Sequence, residues 1–182
     1  MKFEDVDGNG KINADDAVRL DKGITPTFNF GATADLKYRN FDLSILFQGA
    51  TGAALRIQTE SGDIGNFLKY SNDNRWSVNS PSSVHPRLAS RGDTYYTGGN
   101  FGNNTYYLFS KNYIRLKNIE LGYTIPSAVT NRIKVSTARL YVNGLNVLTF
   151  DKMKVYDPEA TAQSGVFYPQ SRVINTGLSI TF

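Results

Sequence analysis

The chain contains no cysteine, one tryptophan, one histidine and two methionines among 182 residues. Without thiols it has no disulfides, no thiolate zinc site and no thiol nucleophile. Its one histidine, His85, stands between Val84 and Pro86 with no second imidazole at metal spacing, so it reads as a loop residue. No run reaches about 18 apolar residues, which excludes a membrane-spanning helix but is blind to strands, whose faces alternate. The net charge of +4 is spread out, and without a Lys/Arg run to track a phosphate backbone, nucleic acid is not an expected partner. Met1 to Asp5 runs straight into an acidic loop, so no signal peptide is expected there. A nucleophile with its base is missing, and "GGNFG" at 98 to 102 precedes neither a helix nor Lys-Ser/Thr. No enzyme is expected.

What is present favours strands and loops: Tyr and Phe number 11 each, and Asn, Ser, Thr and Gly are plentiful. From Phe28 the apolar residues Phe30, Ala32, Ala34, Leu36 and Tyr38 fall on one face against Asn29, Thr33, Asp35 and Lys37. After a turn at Arg39-Asn40, Phe41, Leu43, Ile45 and Phe47 alternate with Asp42, Ser44 and Gln48, and the two halves read as a hairpin. "YIRLKNIELGYTIP" resumes the alternation, with Tyr113, Ile119, Leu121 and Tyr123 on one face and Asn118 and Glu120 on the other. "STARLYVNGLNVLTF" sets Ala138, Leu140, Val142 and Leu148 opposite Arg139, Tyr141, Asn143 and Asn146. In the last strand Ile174, Leu178, Ile180 and Phe182 share a face.

The predicted fold is therefore all-β, with five strands near 26–38, 41–49, 112–124, 136–149 and 172–182. Short turns alternate with long polar connections at 50–111 and 150–171, the first with a short helix around Gly65 to Trp76. Short turns at one end and long loops at the other are the habit of an outer-membrane β-barrel, in which about 9–11 tilted residues cross the bilayer. Tyr38, Tyr113 and Tyr123 then fit an aromatic girdle. Arg115 and Lys117 conflict with this pattern, because they share the face of Tyr113 and Ile119. A basic side chain facing lipid costs about 2–4 kcal/mol at the midplane, so these two must lie at the extracellular rim or a bulge must shift the register.

Two motifs stand apart from the strands. In "DVDGNGKINADD", Asp5, Asp7, Asn9, Lys11 through its carbonyl, Asn13 and Asp16 occupy positions 1, 3, 5, 7, 9 and 12 of an EF-hand-type loop, with Gly10 at the sharp turn. Hard oxygen ligands at this spacing wrap a Ca²⁺ ion, and Asp16 replaces the usual bidentate Glu. A solvated Asp/Asn/Gly turn is the competing reading. The chain's closing "NTGLSITF" has the polar Asn175, Gly177, hydrophobic Ile180 and aromatic Phe182 of an outer-membrane assembly signal, or is an ordinary edge strand. In the long loop, Trp76, Tyr95, Tyr96, Phe101, Tyr106 and Tyr107 pack the loop itself, meet a partner protein, or stack on a sugar substrate.

"GNGKINADD", "YRNFDLSILFQGATG", "YIRLKNIELGYTIP", "ARLYVNGLNVLTF" and "YPQSR" before a strand ending in Phe occur in an order that resembles the C-terminal part of the SusC/RagA-type TonB-linked outer-membrane receptors. The resemblance implies an importer of glycans or peptides in the bacterial outer membrane, with a barrel around an N-terminal plug, a SusD-type lipoprotein as partner and energy supplied through TonB. Five strands cannot close a barrel, so on this reading the chain is a fragment surrounded by lipid and by the rest of the receptor. The alternative is a secreted carbohydrate-binding β-sandwich with a dockerin-like calcium loop.

Overall fold

A computed structural model describes residues 3–57, 67–82, 84–89, 104–163 and 167–182. The chain divides into two compact units. One comprises residues 1–23, 56–108 and 163–166, the other 24–55, 109–162 and 167–182.

The second unit is built on a five-stranded antiparallel sheet. Its members are β1 (Phe28–Tyr38), β2 (Phe41–Thr51), β5 (Tyr113–Thr124), β6 (Thr137–Asp151) and β7 (Val173–Thr181), side by side in that order. Two short strands, β3 (Ala54–Arg56) and β4 (Leu108–Ser110), pair with each other inside the long connection. That connection also holds the short helix α1 (Lys69–Asn74), within the span where a helix is expected. At one end of the sheet β1 turns into β2 through Arg39-Asn40, and β5 reaches β6 through α2 (Ser127–Thr130) and a 3-10 turn at Asn131–Ile133. The two long connections leave from the opposite end.

Register explains why one face is apolar. Phe41, Leu43, Ile45 and Phe47 lie opposite Tyr123, Leu121, Ile119 and Leu116, which in turn meet Leu140, Val142, Gly144 and Leu148. Ile174, Leu178 and Ile180 extend these rows onto β7. Much of this face is bare: Leu36 is 59% exposed, Leu140 49% and Phe150 62%. Full burial of such a side chain is worth about 1.5–3 kcal/mol and each of these forgoes roughly half of it, so a sheet with this face favours an apolar cover.

The other face is polar, and a bulge completes it. The pairing of β5 shifts between Leu116 and Asn118, leaving Lys117 as the extra residue. A single extra residue moves everything before it to the opposite side. Tyr113 and Arg115 therefore share a face with Asn118 and Glu120, and not with Ile119 as strict alternation requires. Of the two ways out of the Arg115 conflict, the bulge is the one the chain takes. The same shift removes Tyr113 from the expected girdle: it is 7% exposed and turned to the polar side.

The packed core lies at the long-loop end of the sheet. Ala50, Ala53, Leu55, Arg115, Met153 and Ala160 are all buried, because the segment after β6 folds back over the polar face there.

Candidate functional site

The acidic loop is organised by its own side chains. Asp5 Oδ1 accepts hydrogen bonds from the Gly8 and Asn9 amides at 2.8 and 3.1 Å, and Asp5 Oδ2 accepts from the Gly10 amide at 2.7 Å. Gly10 has φ of 77°, a left-handed conformation that favours glycine. The Asn9 amide also reaches Asp7 Oδ1 at 3.0 Å, and Asn9 Oδ1 accepts from the Lys11 amide at 2.8 Å. Asn13 caps a 3-10 turn at Ala14–Asp16 by accepting from the Asp15 amide, and that turn carries Asp16 back into the loop. There Asp16 accepts from the Val6 and Asn13 amides, both at 2.8 Å. The bond from Asn13 is the main cause holding the Asp16 carboxyl below the usual carboxylate range.

The result is convergence: carboxylate oxygens of Asp5, Asp7 and Asp16 lie within 4.8 Å of one another. Oxygens at about 2.3–2.6 Å from a common Ca²⁺ are separated by up to about 5 Å, so the spacing of these three carboxylates is of the order that one such ion requires.

In the first unit the aromatic residues of the long loop form a packed string. Tyr70 meets the edge of His85, and His85 meets Tyr106, each pair with ring centroids 5.9 Å apart. Tyr106 packs on Tyr107 at 4.8 Å. The Tyr106 hydroxyl lies 2.7 Å from His85 Nδ1, and burial pushes its pKa up to about 12, so it stays a neutral phenol. Tyr107 is 4% exposed and has no free face for a sugar, whereas Trp76 is 40% exposed. Of the three readings of these aromatics, loop packing describes Tyr106 and Tyr107. Tyr95, Tyr96 and Phe101 lie outside the described residues.

Two arginine-centred networks occupy the polar face of the sheet. Arg115 is 1% exposed. Its guanidinium forks onto both oxygens of Asp157 at 2.9 and 2.8 Å and reaches Glu159 at 2.5 Å, while Nε donates to Thr149 Oγ1 at 3.0 Å. Tyr113 donates to the other Glu159 oxygen at 3.0 Å. Each of the three nitrogens of this buried cation thus donates to at least one oxygen, the pairing that burial of a charge demands. In effect Arg115 straps the segment after β6 to the sheet. Sequence reading saw the conflict at Arg115 but not its carboxylates, which stand 42 and 44 positions away.

Nearer the short-turn end, Arg139 crosses β5 to pair with Asp42 on β2, and also meets Glu120 at 2.8 Å. It crosses over Gly122, where an added Cβ would fall inside the guanidinium. Asn143, opposite Glu120, accepts from Asn175 Nδ2 at 3.1 Å. Asn175 and Gly177 thus belong to the polar face, with the Tyr141 ring covering Gly177, while Ile180 lies on the apolar face and Phe182 is 89% exposed.

No protein-family model matches the chain. It is 31% identical, over 99% of its length, to TonB-dependent receptor P3 of Formosa agariphila, and 32% identical, over 100% of its length, to TonB-dependent receptor P26 of the same organism. It spans 19% of the length of each. Its fold matches the RagAB peptide importer in the open-open state with a TM-score of 0.67 and 26% identity, covering 94% of this chain and 19% of that one. The RagAB peptide transporter matches with a TM-score of 0.71 over the same shares of the two chains, at 24% identity, and that likeness speaks for the fold alone. These relatives are receptors and importers rather than enzymes. None of these likenesses is to a carbohydrate-binding sandwich, so that alternative has no support from them. The bare apolar face, the ionic opposite face and the whole-length likeness agree: the chain belongs to the SusC/RagA-type TonB-dependent receptors of the bacterial outer membrane and forms a stretch of their β-barrel.

Proposed function

We propose that the chain is one part of the wall of an outer-membrane importer that takes up glycans or peptides, with a SusD-type lipoprotein at its mouth and TonB engaged through other parts of the receptor. The observation that carries this reading is the division of the sheet into a bare apolar face and a face bearing two ionic networks. The relatives support import as the activity, and the RagAB structures are those of a peptide importer. The substrate here is either peptide or glycan. A strain lacking the intact receptor should fail to grow on one of these as sole carbon source while growing normally on its monomers. Unimpaired growth on both, or recovery of the receptor in a soluble fraction without detergent, would overturn the proposal.

The acidic loop is assigned a structural calcium ion, held by Asp5, Asp7, Asn9, Asn13 and Asp16 with the Lys11 carbonyl. The ion would stiffen the loop for a partner or substrate. Calcium should protect residues 5 to 16 from proteolysis in the intact receptor, and Asp7→Ala should abolish that protection. Of the candidate aromatics Trp76, Tyr106 and Tyr107, Trp76 is the one with an exposed face to offer a substrate or the lipoprotein. Asn175, Gly177, Ile180 and Phe182 are proposed as the signal read during insertion into the membrane.

A further inference from the structure

The two turns at the short-turn end of the sheet carry charge of one sign. Residues 38–41 and 123–136 contain Arg39, Arg132 and Lys134 and no carboxylate, whereas Lys37 faces Asp42 across the hairpin. Among the described residues, Arg39, Arg132 and Lys134 pair with no carboxylate. Arg39 sits in the hairpin turn with its guanidinium 5.3 Å from the centroid of the exposed Tyr38 ring. Arg132 and Lys134 flank the end of the turn after α2, beside Val129 and Ile133, which are 53% and 67% exposed.

A shallow groove of about 330 Å³ opens on the apolar face next to these turns. Its floor is the row of Gly122, Tyr141 and Gly177, and its walls are the rows of Phe41, Tyr123 and Leu140 on one side and Leu121, Val142 and Thr176 on the other. An apolar groove with unpaired cations at its edge matches an amphiphile with an anionic head. An acidic protein would satisfy the cations but leave the groove, Val129 and Ile133 in water. A lipid covers all of them at once.

We infer that this rim binds an anionic phospholipid of the periplasmic leaflet, its phosphate held by Arg39, Arg132 and Lys134 and an acyl chain lying in the groove. The inference rests on the membrane reading, since outer-membrane barrels turn their short connections to the periplasm and their long loops outward. The test is native mass spectrometry of the intact receptor in detergent, titrated with phosphatidylglycerol or phosphatidylcholine. The wild type should retain phosphatidylglycerol in preference. The triple variant Arg39→Gln, Arg132→Gln, Lys134→Gln should retain it at least about tenfold less, since each basic residue near an anionic lipid surface adds several-fold to binding. Lys152→Gln with Lys154→Gln, at the other end of the sheet, should leave retention unchanged. Equal retention of the two lipids by the wild type, undiminished retention by the triple variant, or an equal loss in the Lys152 and Lys154 variant would each overturn the inference. A receptor that stays soluble without detergent would instead overturn the membrane reading itself.

Discussion

Arg115 has a long flexible side chain that is almost wholly buried, and its position is held by two carboxylates and a hydroxyl. Removing the cation leaves Asp157 and Glu159 without their partner in a largely dry site. Arg115→Met should therefore cost about 3–5 kcal/mol, the range for breaking a buried pair from one side. Thermal unfolding in detergent measures the loss, and faster proteolysis within residues 152–163 should accompany it. Gly122 makes a smaller claim. Gly122→Ala pushes a Cβ into the Arg139 guanidinium and should cost about 1–3 kcal/mol, as other cases of overpacking do. Once Arg139 is already alanine the same substitution should cost little, and a double-mutant cycle on unfolding free energies checks this. Neither network was legible in the sequence. Arg139 and Asp42 are 97 positions apart, and nothing in local alternation says which of many polar residues on one face will meet.

At the scale of elements, period two made the strands legible because one face meets an apolar surroundings and the other a polar one, so each side chain repeats its environment every second residue. The same logic failed at Lys117. A bulge is invisible to a pattern that assumes unbroken pairing, and only the misfit of Arg115 betrayed it. The short strands β3 and β4 also escaped notice: three residues are too few to establish a period. The acidic loop was legible for another reason, since its bonds are local and its spacing is set by the turn itself. Its stability should follow the titration of Asp16. The folded carboxyl lies below the ordinary value of 3.8, chiefly through the Asn13 amide, so its contribution is fully present above that value and is lost as pH falls through the lowered one. Proteolysis of residues 5 to 16 in calcium-free buffer should thus be slow at neutral pH and rapid in strong acid, with an acid-resistant protease as the probe. A rate that ignores pH would leave Asp16 without this role.

At the scale of the whole molecule, five strands with two open edges do not make a closed structure. In a bilayer the outer groups of β1 and β7 need further strands beside them, because unpaired backbone in lipid costs several kcal/mol for each group. The likeness to receptors of which this chain spans 19% supplies the setting in which such strands exist. The account stands on one claim: each strand shows lipid and interior alternately, with a change of phase at Lys117. The chain has no cysteine, so a single introduced cysteine is a unique label within it. The most direct measurement is to place single cysteines along residues 113–123 of the intact receptor in membranes and compare labelling by a lipid-soluble and a water-soluble maleimide. The account predicts that positions 114, 116, 119, 121 and 123 take the lipid-soluble reagent and positions 113, 115, 118, 120 and 122 do not, the break falling at 117. Alternation that runs unbroken through 117, or equal labelling of both sets, would contradict it.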